Sequence, residues 1–310
     1  MFQPLAVAVL TLLTLPVAMA STLSDFTDGF ATAAAQGRSS YQVDIDNDSL
    51  LFDHRDKFYT SGVRLSARHA LSSVEQQTTY GWRFGQDQFT ASDIKIMPAD
   101  LAANDHPYAG WLYAGVFKTT STSDGRSSMA GLDLGCLGPC AGGAWSQKTL
   151  HRIIDQPQPQ GWSTQVKNEP GLVLYGSLTP VRWQLASAVD LTPTVHGRFG
   201  NIVTDAGAGL VLRAGQLNRL PDQPTLHAFL RLDGRAVAYD ASLQGGYFSN
   251  GNLHTVRPKR LTGEIEAGFQ WQAAHYGFLT SFVRRGNTNG DLDSANGSQN
   301  FLRLQFVYAL

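Results

Sequence analysis

The sequence predicts an all-β fold: a transmembrane antiparallel β-barrel of about 12 strands, with a short helix held in an extracellular loop. Three observations point there. From Tyr41 onward, segments of about ten residues alternate in polarity, the period of a strand. The chain closes on FLRLQFVYAL, in which Leu302, Leu304, Phe306, Tyr308 and Leu310 share one face, as in the terminal strand of an outer-membrane barrel. The first residues, Met1 to Ala20, read as an export signal.

That opening stretch, MFQPLAVAVLTLLTLPVAMA, has an apolar run from Leu5 to Leu15 and ends in Ala18-Met19-Ala20. It is shorter than the roughly 18 apolar residues of a spanning helix, so a cleaved signal peptide over 1–20 is expected, followed by one barrel domain over 21–310. Its amino-terminal region carries no Lys or Arg, a departure from the usual signal. Ser21 to Arg38 is polar and alanine-rich, and a poorly ordered lead-in is expected there. Charged residues make up 16% and the net charge is −1, which excludes nucleic-acid binding driven by charge. A mean hydropathy of −0.17 suits a barrel as well as a soluble chain, because alternation averages out.

Among the strands, Glu264 to Ala273 is the clearest. Ile265, Ala267, Phe269 and Trp271 point one way; Glu264, Glu266, Gly268, Gln270 and Gln272 point the other. After a break at Ala274–His275, Tyr276, Phe278, Thr280 and Phe282 share a face. The polar stretch 284–300 then reads as a long loop. If the last strand descends to the periplasm, that loop is extracellular and the 274–275 turn periplasmic. About 290 exported residues, at about 24 per strand and connection, give roughly a dozen strands. A soluble β-protein would also alternate, and sequence alone does not reveal which face is inside. The export signal and the chain-end pattern decide for the barrel.

One segment breaks the strand rhythm. Gly142 and Gly143 lead into helix-compatible sequence from Ala144 to Ile154, which Pro157 and Pro159 end. Gln147 and His151, at i and i+4, lie on one face; Leu150, Ile153 and Ile154 fall on the other and are expected to pack. Just upstream, Cys136 and Cys140 in CLGPC can form a small disulfide loop or remain unpaired thiols, and their spacing fits neither a zinc site nor a redox pair.

A second cluster, YQVDIDNDSLLF, holds Asp44, Asp46, Asn47 and Asp48, hard oxygen donors of the kind calcium prefers. It is not an EF-hand, since Ser49 and Arg55 stand where that loop needs Gly and Glu. The alternative is a polar strand end facing a water-filled lumen. Serine-hydrolase and zinc-protease motifs (G-x-S-x-G, H-E-x-x-H) do not occur. His54, His69, His106, His196, His227, His254 and His275 have no metal-ligand spacing and are expected to be structural or solvated.

Four segments, NDSLLF (47–52), DKFYTSGVRLS (56–66), DHPYAGWLY (105–113) and GPCAGG…Q…HRII…GWSTQVKNEP (138–170), occur in one order. Together they resemble the lipid A 3′-O-deacylase family of outer-membrane enzymes, the LpxR type. The likeness is close over about residues 40–175 and rests elsewhere on strand rhythm. It implies a twelve-stranded barrel, a site near the outer rim between the wall and a loop helix, and Ca²⁺-dependent hydrolysis of the ester-linked 3′ acyloxyacyl group of lipid A. It also implies roles: His151 as general base with Gln147 beside it, Asn47 and Asp48 at the calcium, Thr60 lining the site, and Lys95 facing the anionic head of the lipid. The sequence departs from the family at Pro157, near the place of a family acid with Asp155 the nearest carboxylate. His106 stands for a more usual Arg, and Leu310 for a final aromatic.

The chemistry is self-consistent. Neutral imidazole, with an ordinary pKa near 6.5, can take a proton from an attacking water. A divalent cation offsets the charge on the tetrahedral intermediate, so no serine is needed. The implied partners are lipopolysaccharide and the outer membrane, with the protein acting as a monomer. The alternatives are a non-enzymatic pore or structural barrel of the same ancestry, or another outer-membrane esterase or phospholipase. The reading requires the 144–154 helix and the Asn47–Asp48 corner to lie within about 10 Å, close enough for one reacting carbonyl to bridge them.

Overall fold

In a computed structural model of the chain, the described residues are 24–51, 56–293 and 296–310. The signal-peptide reading of residues 1–20, and the positions of His54 and Arg55, lie outside them. The alternating segments form β1 (Arg38–Asn47), β2 (Phe58–Ser72), β3 (Gln76–Thr90), β4 (Ala109–Thr122), β5 (Ser127–Leu137) and β6 (Glu169–Thr179). They continue as β7 (Trp183–Ala186), β8 (Val189–Gly200), β9 (Val203–Gln216), β10 (Thr225–Asp240), β11 (Leu261–Gln272), β12 (Tyr276–Arg285) and β13 (Gln299–Ala309).

Sequence neighbours pair antiparallel, β1 pairs with β13, and β6 pairs with β8 across the short β7 hairpin. Of the thirteen strands in the sheet, β7 stands outside the ring, so twelve close the barrel and leave no free edge there.

Register settles the question of which face is inside. Ile45 lies between Val63 and Leu304, and Trp271 beside Phe278 and Leu226, so apolar side chains form continuous outer stripes. Phe269, Phe306 and Leu226 are 62%, 61% and 54% exposed, an outer face that only lipid can cover. The opposite face is polar and turned into the lumen. Arg303 bonds both Asp46 and Glu266, Arg231 also reaches Glu266, Arg83 grips Asp133, and Arg285 holds Glu264. Paired charges line the waist of the barrel between near-neighbour strands; such pairs contribute little net stability.

The Asp44–Asp48 cluster divides between a polar strand facing the lumen and a strand end at the rim. On a strand, even-numbered residues of β1 share the luminal face, so Asp44 is taken by Gln42 and Gln305, and Asp46 by Arg303 and Tyr59. Only the strand's end, Asn47 and Asp48, reaches the rim.

At one end of the barrel the connections are short, as at 73–75 and 273–275; at the other they are long, at 91–108, 138–168, 241–260 and 286–298. This is the asymmetry of an outer-membrane barrel, with 286–298 extracellular and 273–275 periplasmic as the sequence predicts. The long loops fold inward over the rim, where Ala109, Trp111, Leu137, Val166, Val173 and Ile202 form the main apolar core.

The lead-in departs from expectation. Residues 24–36 form a helix, α1, rather than disordered chain. Phe26, Phe30 and Ala33 recur at helical spacing, and the two rings pack on Tyr80 and His69 at the periplasmic end of the outer wall, where Ala33 is fully buried.

Candidate active site

The strand-breaking segment forms helix α2 (Gly143–Ile153), one residue earlier than predicted. Its start is built by glycine: Gly142 caps it at φ 70°, a conformation strained for other residues, and a Cβ on Gly143 would stand 2.6 Å from the Trp162 ring. The Cys136–Cys140 disulfide ties the end of β5 to the turn feeding this helix. The last turn ends where Asp155 takes φ 53° ahead of Pro157.

The orientation of α2 reverses one expectation. Its polar face is the buried one, with Gln147 2% and His151 6% exposed. Leu150, Ile153 and Ile154 do not pack inward; they are 46%, 76% and 48% exposed, and Trp145 is 73% exposed. Burying Gln and His is tolerable only because each polar atom finds a partner. The Trp162 N–H donates to Gln147 Oε1 at 2.7 Å, which turns the Gln147 amide N–H toward Asp56 Oδ2 at 3.3 Å. His151 Nδ1 contacts the Pro157 carbonyl at 2.6 Å, and Nε2 meets Asp56 Oδ2 at 2.8 Å.

Opposite the helix stands the loop joining β1 to β2. Asp48 Oδ2 accepts the Lys57 N–H at 2.8 Å, while Asp48 Oδ1 is buried with no hydrogen-bond partner. Burial first, and then the negative charge of neighbouring Asp56, push the Asp48 carboxyl well above the usual carboxylate range. Asn47 Oδ1 accepts from the Ser49 backbone N–H at 2.9 Å. Strand β2 starts with Phe58 at φ 59°, and a bulge between Tyr59 and Ser61 re-aims Thr60, whose hydroxyl contacts Thr90 at 2.6 Å.

Asn47, Thr60, Lys95, Gln147 and His151 line one cavity of about 410 Å³, with Asp48 buried behind it. Every site residue predicted from the sequence is therefore brought to this corner; Lys95 stands exposed at its mouth. Three participants were missed. Asp56 is the carboxylate of DKFYTSG, a segment used for the resemblance without a role for its acid. Trp162 and the Pro157 carbonyl act through contacts that carry no motif. His106 lies elsewhere, as a buried ring stacked on Phe89 with Nδ1 on the Pro107 carbonyl.

The donor set fits a hard divalent cation. An orphaned carboxylate oxygen and two adjacent acids with no donor between them are what a cation would resolve. Among the described residues no group of three or more His, Cys, Asp or Glu forms a metal site. Binding here would thus combine the Asp48 and Asp56 carboxylates with the neutral oxygens of Asn47 and Thr60.

A family model described as "Outer membrane protein LpxR" matches residues 5–310. The chain belongs to the LpxR family. Among solved structures, LpxR from Salmonella typhimurium superposes with a TM-score of 0.72 at 19% identity, covering 87% of this chain and 99% of that one. At that identity the likeness speaks for the fold, the same closed barrel. The β domain of the Bordetella autotransporter BrkA follows at a TM-score of 0.51 and 11% identity, covering 88% and 98% of the two chains, and shares the barrel wall alone. A search of curated protein sequences finds no match. LpxR membership and the lipid-facing wall locate the protein in the outer membrane.

Proposed function

We propose that this LpxR-family barrel is a lipid A deacylase that hydrolyses the ester-linked 3′ acyloxyacyl chain with the help of Ca²⁺. The observation that carries this reading is the His151–Asp56 pair lining a rim cavity with Asp48 buried behind it. The outward apolar face of α2 supports a lipid substrate, since Leu150 and Ile154 also line the cavity and give its helix-side wall an apolar part beside Gln147 and His151.

The ring atoms have separate tasks. The Pro157 carbonyl can only accept, so it keeps a proton on Nδ1 and leaves Nε2 as the basic atom. Asp56 stabilises the imidazolium that forms when Nε2 takes a proton. In the reaction the unprotonated Nε2 parts from Asp56 to admit a water, takes one proton from it as its oxygen attacks the ester carbonyl, and returns that proton to the leaving alkoxide, while the water's other O–H donates a hydrogen bond to Asp56. Gln147, fixed by Trp162, is a positioning residue that holds the Asp56 carboxylate in line. Bound Ca²⁺ would supply positive charge opposite the oxyanion. Base catalysis of this kind contributes about 10²- to 10⁴-fold.

The rival readings fit less well. The long loops that fold inward over the rim, burying Gln147 and His151, argue against an open pore. Both ring nitrogens of His151 are engaged by Pro157 and Asp56, and no serine hydroxyl bonds it among the described residues, which disfavours a serine esterase. Mass spectrometry of lipid A incubated with the purified protein and calcium tests the proposal: a product lighter by one acyloxyacyl group is expected, and unchanged lipid A refutes it.

A further inference from the structure

The lumen holds a second cavity of about 410 Å³ at the periplasmic end, below the paired waist and remote from His151. Its charge is one-sided. Arg38, Arg68 and Arg219 line it without a carboxylate in ion-pairing distance among the described residues. Arg182 and Arg213 also line it and share one acid, the fully buried Asp190. Arg231 shares Glu266 with Arg303. The one carboxylate in the wall itself is Asp222, which accepts from the Ser72 hydroxyl.

Arg68 is the most telling. It stands on the luminal face of β2 with its guanidinium 5.8 Å from the Phe117 ring centroid, and its Nε is closed off from solvent with no hydrogen-bond partner. An N–H left in that state is costly unless an acceptor meets it, and the charge of Asp44 acts on Arg68 only from beyond ion-pairing distance. Water in the lumen can solvate donors, but it does not neutralise a surplus of like charge inside low-dielectric walls, where the field is concentrated.

We infer that this pocket binds a small phosphate-type anion from the periplasm. Planar guanidinium forks match phosphoryl oxygens two at a time, and several converging arginines favour a multiply charged group over chloride. Gln77 in the same wall offers a neutral amide donor beside them. The lining is luminal, with the lipid-facing side chains on the other side of the wall, so a diacyl phospholipid cannot follow its headgroup in. The ligand is a soluble phosphate ester or polyphosphate. This inference stands apart from the deacylase reading and shares no residue with it.

The test is isothermal titration of inorganic pyrophosphate into the detergent-solubilised full barrel at physiological salt. Saturable binding is expected, at least tenfold weaker in Arg68→Gln and in the double variant Arg38→Gln/Arg219→Gln, and unchanged in Arg257→Gln, whose ion pair with Asp291 lies in the extracellular loops. Heat-dependent gel mobility confirms that each variant is a closed barrel. Absence of saturable binding to the wild-type protein overturns the inference, as does equal affinity in the folded arginine variants.

Discussion

His151 on α2 and Asp56 on the loop entering β2 meet at 2.8 Å, from Nε2 to Oδ2. That contact joins the helix to the β1–β2 corner and sets the charge state of the ring. Burial pulls the His151 pKa down, but the hydrogen bond to Asp56 and the Pro157 carbonyl outweigh it and raise it above the ordinary 6.5. In the calcium-free barrel, Asp56→Asn removes the charge that favours imidazolium, so the titration of His151 moves to lower pH. The raised pKa also means that the contact stabilises the fold fully below pH 6.5 and loses that contribution as pH rises through the folded value. NMR of labelled histidine in both proteins checks this; an unmoved titration shows that Asp56 is not the partner.

Calcium dependence follows from the two acids. Excess chelator is expected to abolish lipid A hydrolysis and added calcium to restore it. Asp48→Asn, which removes the charge of the carboxylate that carries the orphaned oxygen, should raise the calcium needed for half-maximal activity at least tenfold. Full activity in chelator removes calcium from the account.

Trp162→Phe keeps the ring but deletes the N–H that holds Gln147. Leaving Gln147 Oε1 buried without a donor costs about 1–3 kcal/mol. Because Gln147 positions Asp56 rather than substrate, kcat should fall while KM stays within about twofold of wild type. A rise in KM alone would assign Trp162 to substrate binding.

The outward face of α2 gives a prediction of opposite sign. Ile153 is 76% exposed, so Ile153→Asp should leave thermal stability in detergent within about 0.5 kcal/mol. In bilayers the same change should raise KM for lipid A, because a carboxylate then replaces an apolar contact with acyl chains. Equal KM values would show that this face does not meet lipid.

The legible parts of the sequence are those governed by short-range periodicity. Ile265 to Trp271 and Leu302 to Tyr308 announce their outer stripes at period two, and Gln147 and His151 announce a shared helix face. Motif resemblance picked out Asn47, Asp48, Thr60, Lys95, Gln147 and His151, which the fold brings to one corner. Asp56 was not, because its role depends on a contact between distant segments that no local spacing encodes. Periodicity also could not say which side of α2 is inside: Leu150, Ile153 and Ile154 look like a core stripe, yet the buried side is the polar one of Gln147 and His151. The helix over 24–36 was missed because its alanine-rich sequence has a narrow apolar stripe, Phe26–Phe30–Ala33, which matters only once Tyr80 and His69 are opposite it.

The central claim is that the His151 imidazole activates the attacking water. Mass spectrometry of lipid A treated with His151→Ala protein, confirmed as a closed barrel by its heat-dependent gel mobility, tests it most directly. The account predicts no detectable loss of the 3′ acyloxyacyl group under conditions where the wild type goes to completion; release at the wild-type rate would contradict it.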